Sequence, residues 1–496
     1  MNTINESKSK RQAEIALSWR DNKGLGGVEA PPGFGKTYLI LNFICKPMLE
    51  RNDSHFIRIV VNGTELKSQW EKQIKEMFPN MWETNFNVNT VQWYQYHKVR
   101  YECSLLVLDE VDEYFSDDRS NIWNGTWVMF KWLFWASATP HDRQKRDQVF
   151  KERFPCIGKI TMQQALDNKW IDDFVMYNLA VHFTDEEQEI YNENEEKIGD
   201  YLSKFDGELP LIYECQAGKK VDGNYIPGFT LCEAVAKRKG WNETFQGYYN
   251  TGNYPIEYTE EQRLWIQQVI GQWSPRMVKA YAEQAIKALD KRSELLFNAT
   301  EKRMKTLELI EKYNRKTVVF SMRISFVEST AQILNANGIP VSVFHNSLAS
   351  RPLRMDASGN PSLHGQYDYV KYKTGSKKGE PKIFGAQSVK ELHIRDFQEN
   401  RTKVLCVCTG IDKGVDIPDI KMAIISSNTS NTNQFIQRFG RSTRKFDEEP
   451  VLIFNLYIPG TREENNLKKN IKELPCTVYW INSVDEIDNQ DLLDLI

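Results

Sequence analysis

The segment Ala30–Thr37, APPGFGKT, constrains this chain more than any other stretch of it. A glycine-rich turn ending in Lys and Thr belongs where a strand stops and a helix starts. There the backbone N–H groups of the turn ring an anion at the helix N-terminus. The apolar run that follows, YLILNFI, supplies the helix. In that geometry Pro32, Gly33, Phe34 and Gly35 form the cradle for a nucleotide such as ATP. Lys36 reaches its β- and γ-phosphates, and the Thr37 hydroxyl ligates Mg2+. The strict pattern begins with Gly, and Ala30 stands there instead.

A second anchor lies at Leu105–Asp112, LLVLDEVD. Four apolar residues form a buried strand that ends in two adjacent acids, at the carboxyl edge of a sheet where ligands bind. Asp109 is placed to hold Mg2+, and Glu110 to polarise an attacking water. A further apolar run ends in small residues at Trp135–Pro140, WASATP.

Phosphate turn, DE-x-D and S-A-T in this order resemble the superfamily 2 helicases. That resemblance implies two RecA-like lobes with ATP and Mg2+ in the cleft between them, and nucleic acid lying across both. Ser137 and Thr139 would then couple hydrolysis to the nucleic-acid-bound state. Gln437–Arg444, QRFGRSTR, matches the family's Q-x-x-G-R-x-x-R pattern. Two arginines three apart on a helix share a face, which makes Arg441 and Arg444 candidate arginine fingers, with Gln437 beside the γ-phosphate. Thr409–Pro418, TGIDKGVDIP, resembles motif V: Thr409 and Gly410 would touch the nucleic-acid backbone, while Gly414 and Asp416 face the nucleotide. Gln12, within KRQAEIAL, resembles the adenine-reading glutamine. Asn62, Gly63 and Thr64 open a segment similar to motif Ia (NGTELKSQW), and Thr90 one similar to motif Ib, both under a nucleic-acid strand.

The Gln that begins QRFGRSTR, the L-x-x-Q-W of the motif Ia segment and ALDNKWI look most like the group holding XPB, UvsW-type phage helicases and type III restriction motor subunits. These act on DNA, so DNA is favoured over RNA, in replication, repair or recombination. DEVD departs from their usual DE-x-H and leaves an RNA helicase open. A motor subunit active only with a protein partner that supplies substrate choice is the third reading.

The 496 residues exceed one ordinary core. Alternating apolar strands and helical stretches place the first α/β lobe at 1–180 and the second at 313–475. A mainly helical linker or inserted subdomain fills 181–312, and 476–496 reads as an acidic tail. The second lobe is interrupted at 350–395 by nine Lys or Arg against four Asp or Glu, with Tyr367, Tyr369 and Tyr372 interleaved. Such a segment is either a nucleic-acid element or a flexible surface loop.

A net charge of −3 excludes a generally basic coat, so nucleic acid requires a local basic surface. No apolar run reaches eighteen residues and the start is polar, so a cytoplasmic protein without membrane contact is expected. Eight cysteines without a C-x-x-C pair support neither zinc nor disulfides.

Overall fold

The computed structural model describes residues 2–138, 145–221, 224–363, 365–374, 376–408, 420–428, 450–472, 474 and 476–487. The first lobe is built on β1 (Leu25–Glu29), β2 (Ile57–Val61), β3 (Phe86–Thr90), β4 (Tyr101–Asp109), β5 (Val128–Ser137) and β6 (Cys156–Lys159). These pair in the order β3-β2-β4-β5-β1-β6, every pairing parallel. Strands covered by helices on both faces need apolar residues at successive positions. The runs at Leu105–Leu108 and Leu133–Ala136 meet that need, and all of their residues are buried. Gly27 is required in β1 because β5 lies so close: a β-carbon there would fall 2.1 Å from the Trp135 carbonyl oxygen. The N-terminal helix α1 (Asn2–Asp21) covers this part of the sheet through Ile15, Ala16 and Trp19.

The second sheet contains β7 (Phe174–Ala180), β8 (Thr317–Ser321), β9 (Val341–Phe344), β10 (Val404–Cys408), β11 (Met422–Ile425), β12 (Val451–Tyr457) and β13 (Val478–Ile481). Its order is β9-β10-β8-β11-β12-β7-β13, again parallel throughout. The fold is therefore α/β with two parallel-sheet lobes.

Four boundaries differ from the sequence expectation. The linker placed at 181–312 gives way at Lys302, and the helix Thr300–Tyr313 buries Leu307, Leu309 and Ile310 in the second lobe's core. Phe174–Ala180, expected to close the first lobe at 180, pairs in the second sheet between β12 and β13. Asn178 takes a 2.8 Å hydrogen bond from Asn455, and Tyr177 stacks 5.3 Å from both Phe454 and Tyr479. An all-buried strand has no polar face to tell which sheet it joins, so proximity along the chain misled. The segment expected to be an acidic tail from 476 instead forms edge strand β13 and sends Val484 and Ile487 into the core. The interruption placed at 350–395 ends at 385, because the helix Ala386–Gln398 buries Val389, Leu392 and Phe397 and belongs to the lobe.

Phe183–Glu301 forms a compact unit of its own. Its helices are Asp185–Lys204, Leu209–Ala217, Gly228–Arg238, Glu243–Thr251, Glu260–Trp273 and Pro275–Asn298. Thr184 and Thr259 each close a capping box. Glu243–Thr251, rich in Gly, Tyr and Asn, is also helical, capped by Asn242, which accepts the Phe245 N–H at 2.8 Å. Among the described residues no helix is long and apolar enough to cross a membrane.

The second lobe contains a buried ion pair. Lys302, fully enclosed, donates to both Glu463 oxygens at 2.8 and 2.7 Å and to the Ser426 carbonyl at 2.7 Å. Removing one partner strands a charge in an apolar interior, which costs about 3–5 kcal/mol, whereas replacing both with apolar groups costs far less. Lys302→Met should therefore lower the denaturant midpoint sharply, and adding Glu463→Leu should recover more than half of the loss. A double variant no more stable than the single would contradict this account of the pair.

Candidate active site

The phosphate turn leaves β1 at Glu29, and the Ala30 N–H donates to the Ser137 carbonyl at 3.0 Å. Gly33 and Gly35 take φ of +83° and +85°, a region that glycine enters without cost. From behind, α1 grips three successive carbonyls. Lys8 Nζ donates to Gly33 O at 2.8 Å, and Gln12 Nε2 donates to Phe34 O at 2.9 Å and Gly35 O at 3.2 Å. In a trans peptide C=O and N–H point in opposite directions, so the N–H groups of Gly35 and Lys36 are turned away from α1. The Phe34 side chain plugs the back of the turn against Trp170, ring centroids 5.5 Å apart. Pro32 and Thr37 are half-buried. Helical backbone begins at Lys36 and continues through a π-helical stretch, Leu39–Cys45, into Lys46–Arg51. Pro47 accompanies that stretch, since it cannot donate to Phe43 as an α-helix would require.

Asp109 is the last residue of β4, and Glu110 follows with φ of +52°, left-handed for a residue with a β-carbon. Such strain persists only where the surroundings enforce it, and active sites are where it collects. Lys36 Nζ sits 3.2 Å from Ala30 O and 3.8 Å from Glu110 Oε1. Trp70 Nε1 donates to Asp109 Oδ2 at 2.8 Å. Burial first, then the neighbouring Glu110 charge, push the Asp109 carboxyl up to about 6. The Ser137 hydroxyl lies 2.9 Å from Asp112 Oδ1 and 3.4 Å from Glu110 Oε2. Burial and Glu110 push Asp112 up to about 8.

Three acids crowd positions 109, 110 and 112 opposite Lys36. Burial raises these carboxyls first and their mutual repulsion second, and a divalent cation at the cluster would offset both. Among the described residues no group of three or more His, Cys, Asp or Glu forms a metal cage. Mg2+ needs none, since one or two protein oxygens with phosphates and waters complete its octahedron. Asp109, buried at the end of β4, carries a carboxyl oxygen of the kind that role needs.

The sheet order sorts the remaining residues. Asn62, Gly63 and Thr64 follow β2 and Thr90 ends β3, on the far side of β4 from the phosphate turn. The two loops meet where Gln92 Nε2 donates to Asn62 Oδ1 at 3.3 Å. The Thr90 hydroxyl accepts the Trp93 N–H at 3.2 Å and caps that helix, and the Thr64 hydroxyl donates to Glu65 at 3.2 Å. Thr139, Thr409, Gly410, Gly414, Asp416, Gln437, Arg441 and Arg444 lie outside the described residues.

Sequence reading missed Lys8, Trp70 and Asp112. Trp70 lies on the helix Thr64–Met77, which begins at the motif Ia loop and reaches Asp109 with its indole. Its four-residue spacing from Ile74 marks it as a core position, and spacing does not reveal a hydrogen bond. Trp70→Phe keeps the packing and deletes the donor. A hydrogen bond to a charged group is worth about 1.5–3 kcal/mol, so the unfolding midpoint should drop by no more than the loss of that one bond, while ATP turnover at limiting Mg2+ should fall about tenfold. Turnover and Mg2+ dependence identical to those of the parent would remove Trp70 from the site.

A family model described as type III restriction enzyme, res subunit, matches residues 2–120, and one described as helicase conserved C-terminal domain matches 382–445. The chain is similar to the DNA 3'-5' translocase XPB2 of Sulfurisphaera tokodaii, 23% identical over 458 residues, covering 89% of this chain and 80% of that protein. Among solved structures, the Hef helicase domain of Pyrococcus furiosus superposes with a TM-score of 0.45 at 15% identity, covering 93% of this chain and 98% of that one. Dbp5 of S. cerevisiae bound to RNA and ADP BeF3 superposes at 0.49 and 13% identity, covering 98% of this chain and 92% of that one.

Proposed function

We infer that this chain, an ATP-hydrolysing helicase of superfamily 2 and DExD/H type, is a motor that moves on or remodels DNA. The observation that carries DNA over RNA is the likeness to a DNA translocase over nearly nine-tenths of the chain. In this reading the ATP phosphates lie against the N–H groups of Gly35 and Lys36. Lys36 exchanges its contacts to Ala30 and Glu110 for the β- and γ-phosphates, and its release frees Glu110 to orient water. Mg2+, held by Asp109 and Thr37, would neutralise phosphate charge. Gln12, tied to the turn, also meets the adenine edge. Arg441 and Arg444 come from the second lobe to the γ-phosphate beside Gln437, while Gly414 and Asp416 face the nucleotide. Asn62, Gly63, Thr64 and Thr90 support the DNA backbone on one lobe, and Thr409 and Gly410 on the other. Ser137 and Thr139 couple the two zones. Nucleic acid across both lobes favours closure, and hydrolysis reopens the cleft. We place this motor in the cytoplasm, in replication, repair or recombination, with a partner refining substrate choice.

ATP turnover measured with single-stranded, duplex and forked DNA and with RNA tests the proposal. DNA should stimulate and RNA should not. Arg441→Ala and Arg444→Ala should keep ATP affinity but lose about a thousandfold in stimulated turnover. Stimulation by RNA alone would replace DNA as the substrate, and stimulation only after a partner is added would make the chain a subunit of a larger motor.

A further inference from the structure

The described residues of 350–385 form a built element. Arg351–Pro352 pair with Ile383–Phe384, and Arg354–Met355 with Pro361–Ser362. Between them Tyr369 and Lys371 form antiparallel bridges to Arg354 and Pro381, and Met355 N–H donates to Asp368 O at 3.0 Å, Val370 N–H to Leu353 O at 2.9 Å and Lys382 N–H to Val370 O at 2.7 Å. The ribbon is two-sided, as the strand period of two requires. Leu353 is buried on one face, with half-buried Val370 opposite it. The other face carries Tyr369 with Arg354 paired across from it, and Tyr367, Asp368, Lys371 and Lys373 are exposed as well. Tyr367 is 58% and Tyr369 38% exposed, and the Arg354 guanidinium lies 4.7 Å over the Tyr369 ring. Lys377 and Lys378 stand exposed at the tip.

Packing does not account for this face, since a ribbon already held by Leu353 and its backbone ladder gains little from tyrosines in water. Charge points the same way: 350–385 holds seven Lys or Arg against three Asp or Glu, net +4 on a chain of net −3. Position supplies the third argument. β9 ends at Phe344, a few residues before the ribbon, and pairs in parallel with β10, Phe344 opposite Val407. Neighbouring strands lie about 4.8 Å apart. The ribbon therefore leaves the sheet from the carboxyl edge at which β10 also ends.

The geometry points to the ribbon as a docking face for single-stranded nucleic acid, its tyrosines stacking on unpaired bases while its lysines and Arg354 follow the phosphates. Stacking selects the single strand, because duplex bases present no free face to a flat aromatic ribbon. This rests on the motor reading above and adds a second nucleic-acid surface outside the lobes' motif loops. Hydrolysis itself does not pass through these residues.

The test uses the full chain, a fluorescein-labelled 20-mer oligothymidylate and a duplex of equal length. Tyr367→Ala with Tyr369→Ala should weaken single-strand binding about tenfold for each base left unstacked, and the matching Phe pair should restore it. Duplex affinity and basal ATPase should hold at the parental values, which also shows that the fold is intact. Replacing Lys371, Lys373, Lys377 and Lys378 with Gln should flatten the dependence of log affinity on log salt by about 0.7 for each phosphate no longer neutralised. Parental affinity and slope in both variants, with nucleic-acid-stimulated ATPase retained, would overturn the ribbon and leave the motor reading standing. Equal losses on duplex and single strand would overturn the choice of single strand. A parent chain that neither binds nor responds to any nucleic acid would instead bring down the motor reading itself.

Discussion

Ser137 joins the first lobe's chemistry through two different atoms. Its carbonyl holds the start of the phosphate turn through Ala30, and its hydroxyl meets Asp112 and Glu110. Both contacts exist because β5 lies between β1 and β4, which sets Ser137 beside Glu29 in one register and next to the partner of Asp109 in the other. A fully buried serine between two binding segments transmits small shifts, because close-packed interiors do not absorb them. Lys36 and Glu110, 3.8 Å apart across the same gap, keep the acidic cluster from repelling itself apart.

Behind that gap the restraints are helical. Lys8 and Gln12 hold the turn's carbonyls to α1, and Trp70 holds Asp109 to the helix that starts at Gly63. A nucleotide and a nucleic acid at this edge would thus press on opposite ends of connected elements. Trp70 is a direct physical link between the two zones, one side chain from the motif Ia helix to the acid proposed for Mg2+.

The sequence made the strands with dense apolar runs legible: Ile57–Val61, Val341–Phe344 and Met422–Ile425 coincide with β2, β9 and β11. Phe86–Thr90 and Cys156–Lys159 escaped because FNVNT and CIGK carry too few apolar residues to signal a strand, and pairing with a formed sheet supplies what propensity lacks. β7 was visible as an apolar run, but which sheet it joins is a long-range property with no local signature. At the site, residue types with fixed chemistry (Lys36, Asp109, Glu110) announced themselves through spacing. Trp70 and Lys8 did not, because their contacts span 39 and 25 residues. The motif V and VI residues stay legible as sequence alone.

Glu110 is the residue on which the account turns, since strained backbone, three neighbouring charges and the Ser137 contact all converge on it. The most direct measurement is ATP hydrolysis by Glu110→Gln alongside its nucleotide affinity. Loss of a positioned base removes about 10²–10⁴ in rate, so hydrolysis should fall by at least a hundredfold while nucleotide still binds with parental affinity. Turnover near the parental rate, or affinity falling in step with it, would contradict the site described for this chain.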